Sequence, residues 1–118
     1  MGKGFGSLHT LTDGERLYIV RRRKKRTQKE AAALYGVSRV TYNRWENGLA
    51  PGPTEALTSL FPYERCLINR RRSGSSQGAL SNRLKISRNW LNQMENGNID
   101  CKPLIDYWEP KEESAAIF

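Results

Sequence analysis

The sequence has few of the residues that bind metals or carry out nucleophilic catalysis. It contains one histidine, His9, and two cysteines, Cys66 and Cys101, which lie far apart in the chain. No pair of these residues has the short spacing of a zinc site. A nucleophile–base constellation, a phosphate-binding glycine loop and an acidic metal cluster are also absent. We therefore expect neither an enzyme nor a metal or cofactor, and two reduced thiols in a cytoplasmic protein.

Long apolar runs are also absent from the 118 residues. A membrane span needs roughly 20 consecutive apolar residues, and no stretch approaches that length. The first ten residues lack the apolar core of a secretory signal. We expect no membrane span, and no small-molecule pocket is evident from the sequence. The length predicts one domain or two very small ones.

Positive charge is abundant and clustered. Lysine and arginine total 20 against 12 acidic residues, which gives a net charge of +8 and a pI near 9.9. Residues 21–26 read RRRKKR, and residues 70–72 read RRR. Such a balance favours a polyanionic partner, with nucleic acid first and an anionic membrane second.

The chain contains an internal repeat at a constant offset. Leu11 matches Leu60, 49 positions later, and many identities follow at the same spacing without a gap. The RRR of residues 21–23 recurs at 70–72, and the ENG of residues 46–48 recurs at 95–97. Duplication is the simple explanation. Units of this size lie near the limit for a separate core, so we expect the two to share or pack their cores.

Capping residues predict an all-α fold. Thr12 precedes the first helix, Thr27 with Glu30 has a capping-box pattern, and Ser38 precedes a third helix. Gly36 is suited to the left-handed conformation that ends a helix. The predicted helices cover approximately residues 13–25, 28–35, 39–47, 54–60, 63–72, 77–84, 88–96 and 102–108.

The third helix of each repeat has an apolar and a polar face. Tyr42 and Trp45 lie three residues apart in the first repeat, as do Leu91 and Met94 in the second. The opposite faces hold Arg39, Val40, Asn43 and Arg44, and Arg88, Asn89, Asn92 and Gln93. These side chains can hydrogen-bond base edges or contact a thymine methyl group. A solvated helix face is the alternative, but two helix pairs that each follow arginines favour DNA.

The segment TQKEAAALYGVSRVTYNRWENG, residues 27–48, resembles the helix-turn-helix of phage repressors and Cro proteins, the XRE family. The shared features are its TQ opening, Ala32, the GVS turn at 36–38, Trp45 and the ENG at 46–48. Residues 76–97 resemble a diverged member, with Lys85 in place of glycine and Ser81 in place of alanine. The resemblance implies two tandem lambda-repressor-like helix-turn-helix units of about four short helices each.

The open faces and the resemblance together predict the DNA-contacting residues. Base reading is expected from Ser38, Arg39, Val40, Asn43, Arg44, Ser87, Arg88, Asn89, Asn92 and Gln93. Phosphate binding is expected from Arg22, Arg23, Lys24, Lys25, Arg26, Gln28, Thr41, Asn47, Arg71, Arg72, Gln77 and Asn96. A solvated charged loop is the alternative for the basic runs. The resemblance further implies structural ion pairs between Arg21 and Glu46 and between Arg70 and Glu95.

Trp90 occupies the position of Thr41 in the second repeat. Because tryptophan is enriched at interfaces, we expect it to pack in a core or an interface. A DNA contact is the alternative.

The sequence is thus divided into a flexible arm at residues 1–10, units at 11–60 and 61–108, and a tail at 109–118. The expected function is a sequence-specific double-stranded DNA-binding transcriptional regulator, a repressor of phage or mobile-element type. Its recognition helices, 38–47 and 87–96, would read two half-sites on the nucleoid of a bacterial host cell. A homodimer is a further expectation. The alternatives are an antitoxin-like or anti-repressor-like protein-interaction module, and a DNA-architectural or excision factor.

Overall fold

The computed structural model describes residues 11–109, and within them the chain is helical, with no β-strand. The seven helices are α1 (Asp13–Arg23), α2 (Gln28–Tyr35), α3 (Arg39–Glu46), α4 (Pro62–Ser73), α5 (Gln77–Leu84), α6 (Arg88–Glu95) and α7 (Lys102–Trp108). The predicted all-α class is confirmed. No helix in this range is long and apolar enough to cross a membrane. The flexible arm and most of the predicted tail lie outside the described residues.

The chain forms two compact units that divide between Ser59 and Leu60. The first contains α1, α2 and α3, and the second contains α4 to α7.

Side-chain caps begin the helices of the first unit as predicted. The Thr12 hydroxyl accepts a hydrogen bond from the Glu15 backbone N at 3.1 Å, and the Glu15 carboxylate accepts from the Thr12 backbone N at 3.0 Å. Thr27 and Glu30 form the same reciprocal pair at the start of α2. These bonds satisfy backbone N–H groups that have no partner within the helix.

Three of the described backbone positions in each unit are left-handed; one is glycine in both units, at Gly48 and Gly97, and the other two differ. In the first unit they are Lys25, with φ 56°, and Gly36, with φ 71°. In the second unit, 49 residues later, they are Gly74, with φ 77°, and Lys85, with φ 59°. Each unit therefore places glycine at one of the two positions and lysine at the other.

The core of the first unit is partly aromatic. Leu17, Ala31, Ala32 and Tyr42 are buried, and Tyr35, Val37 and Trp45 pack against them. The Tyr35 and Trp45 rings meet edge to face with centroids 5.6 Å apart, an arrangement that aromatic pairs prefer.

The predicted helix at residues 54–60 is wrong. The structure has no helix between residues 51 and 61, so residues 11–59 of the first unit contain three helices instead of about four. A helix this short is marginal without tertiary packing, and Leu57 is the one residue of the segment that is buried. Specific contacts hold the segment instead. The Tyr35 hydroxyl donates to the Glu55 carboxylate, Arg23 Nη2 donates to the Ser59 carbonyl at 2.6 Å, and Leu57 is buried.

The predicted closing helix, α7, is present in the second unit. Leu104 is fully buried with Cys66, Leu80, Leu91 and Met94. Arg65 Nε on α4 donates to Glu109 Oε2 at 2.9 Å, next to the end of α7. Helix α7 therefore covers the core formed by α4, α5 and α6.

Replacing Lys85 with glycine should stabilise the second unit. A left-handed residue with a Cβ is strained, and glycine removes that strain. We expect Lys85→Gly to raise the free energy of unfolding by about 0.5 to 1 kcal/mol in urea denaturation followed by circular dichroism. Lys85→Ala keeps a Cβ and is the control. An equal gain from the alanine variant would contradict the explanation by strain.

The buried Cys66 thiol should make stability fall at alkaline pH. Burial raises the pKa of Cys66 from 9.0 to about 12. Between these values the unfolded chain loses a proton that the folded chain retains, so the free energy of unfolding decreases as the pH rises. Between pH 7.5 and 10.5, urea denaturation should show a loss on the order of 2 kcal/mol larger for the wild type than for Cys66→Val. Equal pH dependence in the two proteins would refute this.

Candidate nucleic-acid interface

A buried arginine–glutamate pair joins α1 and α3, the first and last of the three helices described for the first unit. Arg21 Nε lies 2.6 Å from Glu46 Oε2, and Arg21 Nη2 donates to Glu46 Oε1 at 3.2 Å. The Glu46 side chain is 1% exposed and that of Arg21 is 16% exposed. Arg21 Nη1 also donates to the Arg26 carbonyl at 3.0 Å, just before the cap of α2. One guanidinium thus connects the end of α1, the start of α2 and the end of α3.

The second unit contains the corresponding contacts. Arg70 Nε lies 2.6 Å from Glu95 Oε2, and Arg70 Nη1 donates to the Ser75 carbonyl at 3.1 Å. The Glu95 side chain is likewise 1% exposed. The structure therefore contains both ion pairs that the resemblance implied.

The Arg21–Glu46 ion pair affects the pKa values of Arg21 and Tyr42. Burial lowers the pKa of Arg21, but the hydrogen bond to Glu46 and its charge outweigh that effect, so the pKa is raised overall. Burial raises the pKa of Tyr42, and the negative charge of Glu46 adds to this effect. The guanidinium is therefore always charged at physiological pH, and the phenol is neutral.

A chain of amides extends from each glutamate toward the third helix. Gln28 Nε2 donates to Glu46 Oε1 at 3.0 Å, and Asn43 Nδ2 donates to Gln28 Oε1 at 3.2 Å. Asn47 Nδ2 then donates to Asn43 Oδ1 at 3.1 Å. We refer to Arg21, Glu46, Gln28, Asn43 and Asn47 as the polar network of the first unit.

The polar network of the second unit consists of Arg70, Glu95, Gln77 and Asn92. Gln77 Nε2 donates to Glu95 Oε1 at 2.9 Å and to Asn92 Oδ1 at 3.2 Å. Helices α5 and α6 are therefore joined in the same way as α2 and α3.

Four residues of these networks join helices within their unit, a role that the sequence did not predict. Gln28 and Gln77 were predicted to contact phosphate, and Asn43 and Asn92 to read bases. All four are half-buried, and their amides bond within their own unit. They hold the third helix against the second, and their contact with DNA stays a prediction.

Most of the other predicted base-reading residues lie on the surface at the beginning of the third helix. Val40 is 64% exposed. Gln93 is half-buried, and its Oε1 accepts a hydrogen bond from Asn98 Nδ2 at 2.8 Å. The exposed members are Ser38, Arg39, Val40 and Arg44 in the first unit and Ser87, Arg88 and Asn89 in the second. The structure thus places them at the start of α3 and of α6, except Arg44, which lies in the last turn of α3.

The two serines in this set also begin their helices. The Ser38 hydroxyl accepts from the Thr41 backbone N at 3.1 Å, and the Ser87 hydroxyl accepts from the Trp90 backbone N at 2.9 Å. Ser38 Oγ donates to the Thr41 hydroxyl at 3.1 Å, so Thr41 is tied to the cap and is half-buried.

Trp90 is not part of the core of its unit. The residue is 45% exposed. Of its two predicted positions, in a core or at an interface, the core is therefore wrong, and the interface stays a prediction. Consecutive residues of an α-helix lie about 100° apart, and Leu91 occupies the buried direction. Trp90 therefore lies on the flank of α6.

The predicted phosphate-binding cations lie at the ends of α1 and α4 and in the turn after α1. Arg23, Lys24, Lys25 and Arg72 are exposed, whereas Arg22, Arg26 and Arg71 are half-buried. Arg22 lies over the Tyr18 ring, with its guanidinium carbon 5.6 Å from the ring centroid. Basic residues also stabilise the negative end of a helix dipole, so part of this charge has a structural role. Asn47 and Asn96 are exposed just beyond α3 and α6.

Sequence reasoning missed several contacts that position these helices. The Tyr35–Glu55 bond and the Arg23–Ser59 bond were not foreseen. Neither has a local sequence pattern, because the partners are separated by 20 and 36 residues. Only the position of Glu55, as the one charged residue in the stretch 49–62, offered a signal.

Neutralising either buried glutamate should destabilise the chain. Glu46→Gln leaves the Arg21 charge without its partner in a poorly hydrated position. We expect a loss of about 3 kcal/mol in urea denaturation, and the same for Glu95→Gln. Asp106→Asn is the control, because it removes an exposed ion pair with Lys102, 3.2 Å long, that should contribute less than about 1 kcal/mol. If Glu46→Gln costs no more than Asp106→Asn, the network does not organise the unit.

Comparison with known proteins identifies part of this arrangement. No curated protein and no solved structure matches the chain. A family model does match residues 17–57, about a third of the chain, and its description is "Helix-turn-helix". The match runs from Leu17 in α1 through α2 and α3 to Leu57. The first unit of this chain is therefore similar, over residues 17–57, to the helix-turn-helix family.

Proposed function

We propose that the protein is a sequence-specific double-stranded DNA-binding transcriptional regulator that acts as a repressor. The observation that carries the proposal is the exposed row of Arg39, Val40 and Arg44 on α3, inside a segment that matches the helix-turn-helix family. Arginine can bond guanine through two donors, and valine can contact a thymine methyl group. The resemblance to phage repressors supports a phage or mobile element as the source, and the bacterial cytoplasm as the site of action.

The polar network supports this assignment through geometry. Base reading requires side chains held in a fixed orientation relative to the groove. Gln28 and Asn43 join α2 to α3, and Arg21 joins both to α1. The exposed row therefore stands on a helix whose position is fixed by buried bonds.

The second unit is proposed to be a further DNA-binding helix-turn-helix. Helices α5 and α6 have eight residues each, as do α2 and α3. The Arg70–Glu95 distance equals the Arg21–Glu46 distance, 2.6 Å. Lys85 adopts the left-handed turn conformation of Gly36 despite its side chain. These observations support a common design for the two units.

The two third helices would read unlike half-sites. Val40 is replaced by Asn89 at the corresponding position, and Arg44 is replaced by Gln93. Valine favours a thymine methyl group, whereas asparagine and glutamine favour adenine. One chain would then read an asymmetric operator, and a homodimer would read a site of twice that length.

The basic residues at the ends of α1 and α4 would bind phosphate. Such contacts position a protein on the duplex and contribute little sequence information. The net charge of +8 supports this role, because neutralising phosphates releases counterions.

Selection of bound DNA from a random duplex pool tests the proposal. The wild type should enrich an asymmetric motif of two parts. Arg39→Ala and Arg88→Ala should each lose preference in a different part, at a cost of about 1 to 3 kcal/mol on the best site. Enrichment of no sequence, with binding that disappears in moderate salt, would refute sequence-specific binding.

Lys24→Ala is the control for this experiment, because Lys24 is exposed and lies outside α3 and α6. Its replacement should weaken binding to all duplexes nearly equally and reduce the salt slope by about one. If Lys24→Ala changed the selected sequence while Arg39→Ala did not, the two roles would be reversed.

A further inference from the structure

Trp90 is a large apolar side chain on the surface of the second unit. It is the third residue of α6, and 45% of its surface is exposed. Burying an aromatic ring of this size is strongly favourable, so a ligand that covered the Trp90 ring would gain binding free energy from that contact.

The position of Trp90 places its ring beside the predicted readers of the second unit. Side chains in an α-helix tilt toward its N-terminus, so Trp90 projects toward the start of α6. Ser87, Arg88 and Asn89 are exposed at that same end. In helix-turn-helix proteins this end of the recognition helix enters the major groove.

The surroundings of the ring favour DNA over a protein partner. The centre of a protein interface consists of several apolar and aromatic side chains and few charged ones. Around Trp90 the exposed residues of the turn and of α6 are Lys85, Ser87, Arg88 and Asn89, which are polar or basic. Positive charge beside the ring complements phosphate, and a lone aromatic ring fits the apolar parts of a groove wall.

The first unit has a different residue at this point on the same backbone. Thr41 is also the third residue of its helix, and both residues donate their backbone N–H to the serine cap, at 3.1 and 2.9 Å. The Thr41 side chain is small, half-buried and bonded to Ser38. Tryptophan in place of threonine thus changes the shape of the surface at the start of α6, while the backbone and its serine cap stay the same.

We propose that the Trp90 ring packs against double-stranded DNA in the groove, on thymine methyl groups and deoxyribose beside the bases that Arg88 and Asn89 read. This inference rests on the proposed function. It makes Trp90 a specificity-determining residue of the second half-site, with no counterpart in the first.

The test compares Trp90→Phe, Trp90→Ala and Ile99→Ala with the wild type on the duplex that the wild type selects. Ile99 is the matched control, because it is also a large apolar residue of the second unit, 43% exposed, but lies beyond α6. Trp90→Ala should weaken binding by about tenfold to fiftyfold, and Trp90→Phe by about threefold at most. Ile99→Ala should bind like the wild type. Replacing thymines beside the second half-site should weaken binding of the wild type but not of Trp90→Ala.

Quenching of Trp90 fluorescence provides a second test, which does not depend on a change in the affinity for DNA. The emission of Trp90 is obtained as the difference between the wild type and Trp90→Phe. Acrylamide should quench this difference signal in the free protein and much less in the DNA complex. A signal quenched equally in both states, together with unchanged affinity of Trp90→Ala, overturns the inference while leaving the proposed function intact. Failure of the wild type to select any duplex overturns both.

Discussion

The buried carboxylate of Glu46 imposes the strictest requirement on the first unit, because an ionised group with 1% exposure must be fully paired. Arg21 and Gln28 supply the partners at 2.6 and 3.0 Å. A buried pair of this kind adds little stability over apolar residues of the same shape, but its geometry admits few alternatives. The helix that ends at Glu46 cannot rotate or slide without breaking these bonds. The orientation of the exposed Arg39 and Val40 at the start of α3 therefore depends on a contact at the opposite end of the same helix.

The two units keep this polar arrangement while their apolar interiors differ. Tyr35, Tyr42 and Trp45 fill the first interior, whereas the corresponding positions in the second are Leu84, Leu91 and Met94. Smaller side chains leave space, and α7 covers the second interior with Leu104. The first unit has no such helix, and its aromatic rings provide the bulk instead. Apolar packing tolerates changes of this kind when total volume is kept, but a buried charge has no comparable substitute.

Much of the local structure could be predicted, because caps and left-handed turns depend on neighbouring residues. Thr12, Thr27 and Gly36 stand where their side chains or their freedom of φ are needed. The helix expected at 54–60 failed because its conformation is decided by distant partners such as Tyr35 and Arg23. The half-buried position of Gln28 was missed for the same reason, since its partner lies 18 residues away. The core option for Trp90 failed because hydrophobicity alone does not distinguish a buried side chain from an exposed one.

The irregular segment 51–61 has a consequence for how the chain opens. Only Leu57 is buried within it. Side-chain bonds at Glu55 and at the Ser59 carbonyl attach it to the helices of the first unit, and Phe61 N donates to Glu64 Oε1 at 2.8 Å. Detaching it exposes little apolar surface, so this opening requires far less free energy than unfolding either unit. Amide protons there should exchange with solvent through frequent, brief excursions, and proteases should cleave there first. The end of the first unit, next to the division between Ser59 and Leu60, can thus open while the helices of that unit remain folded.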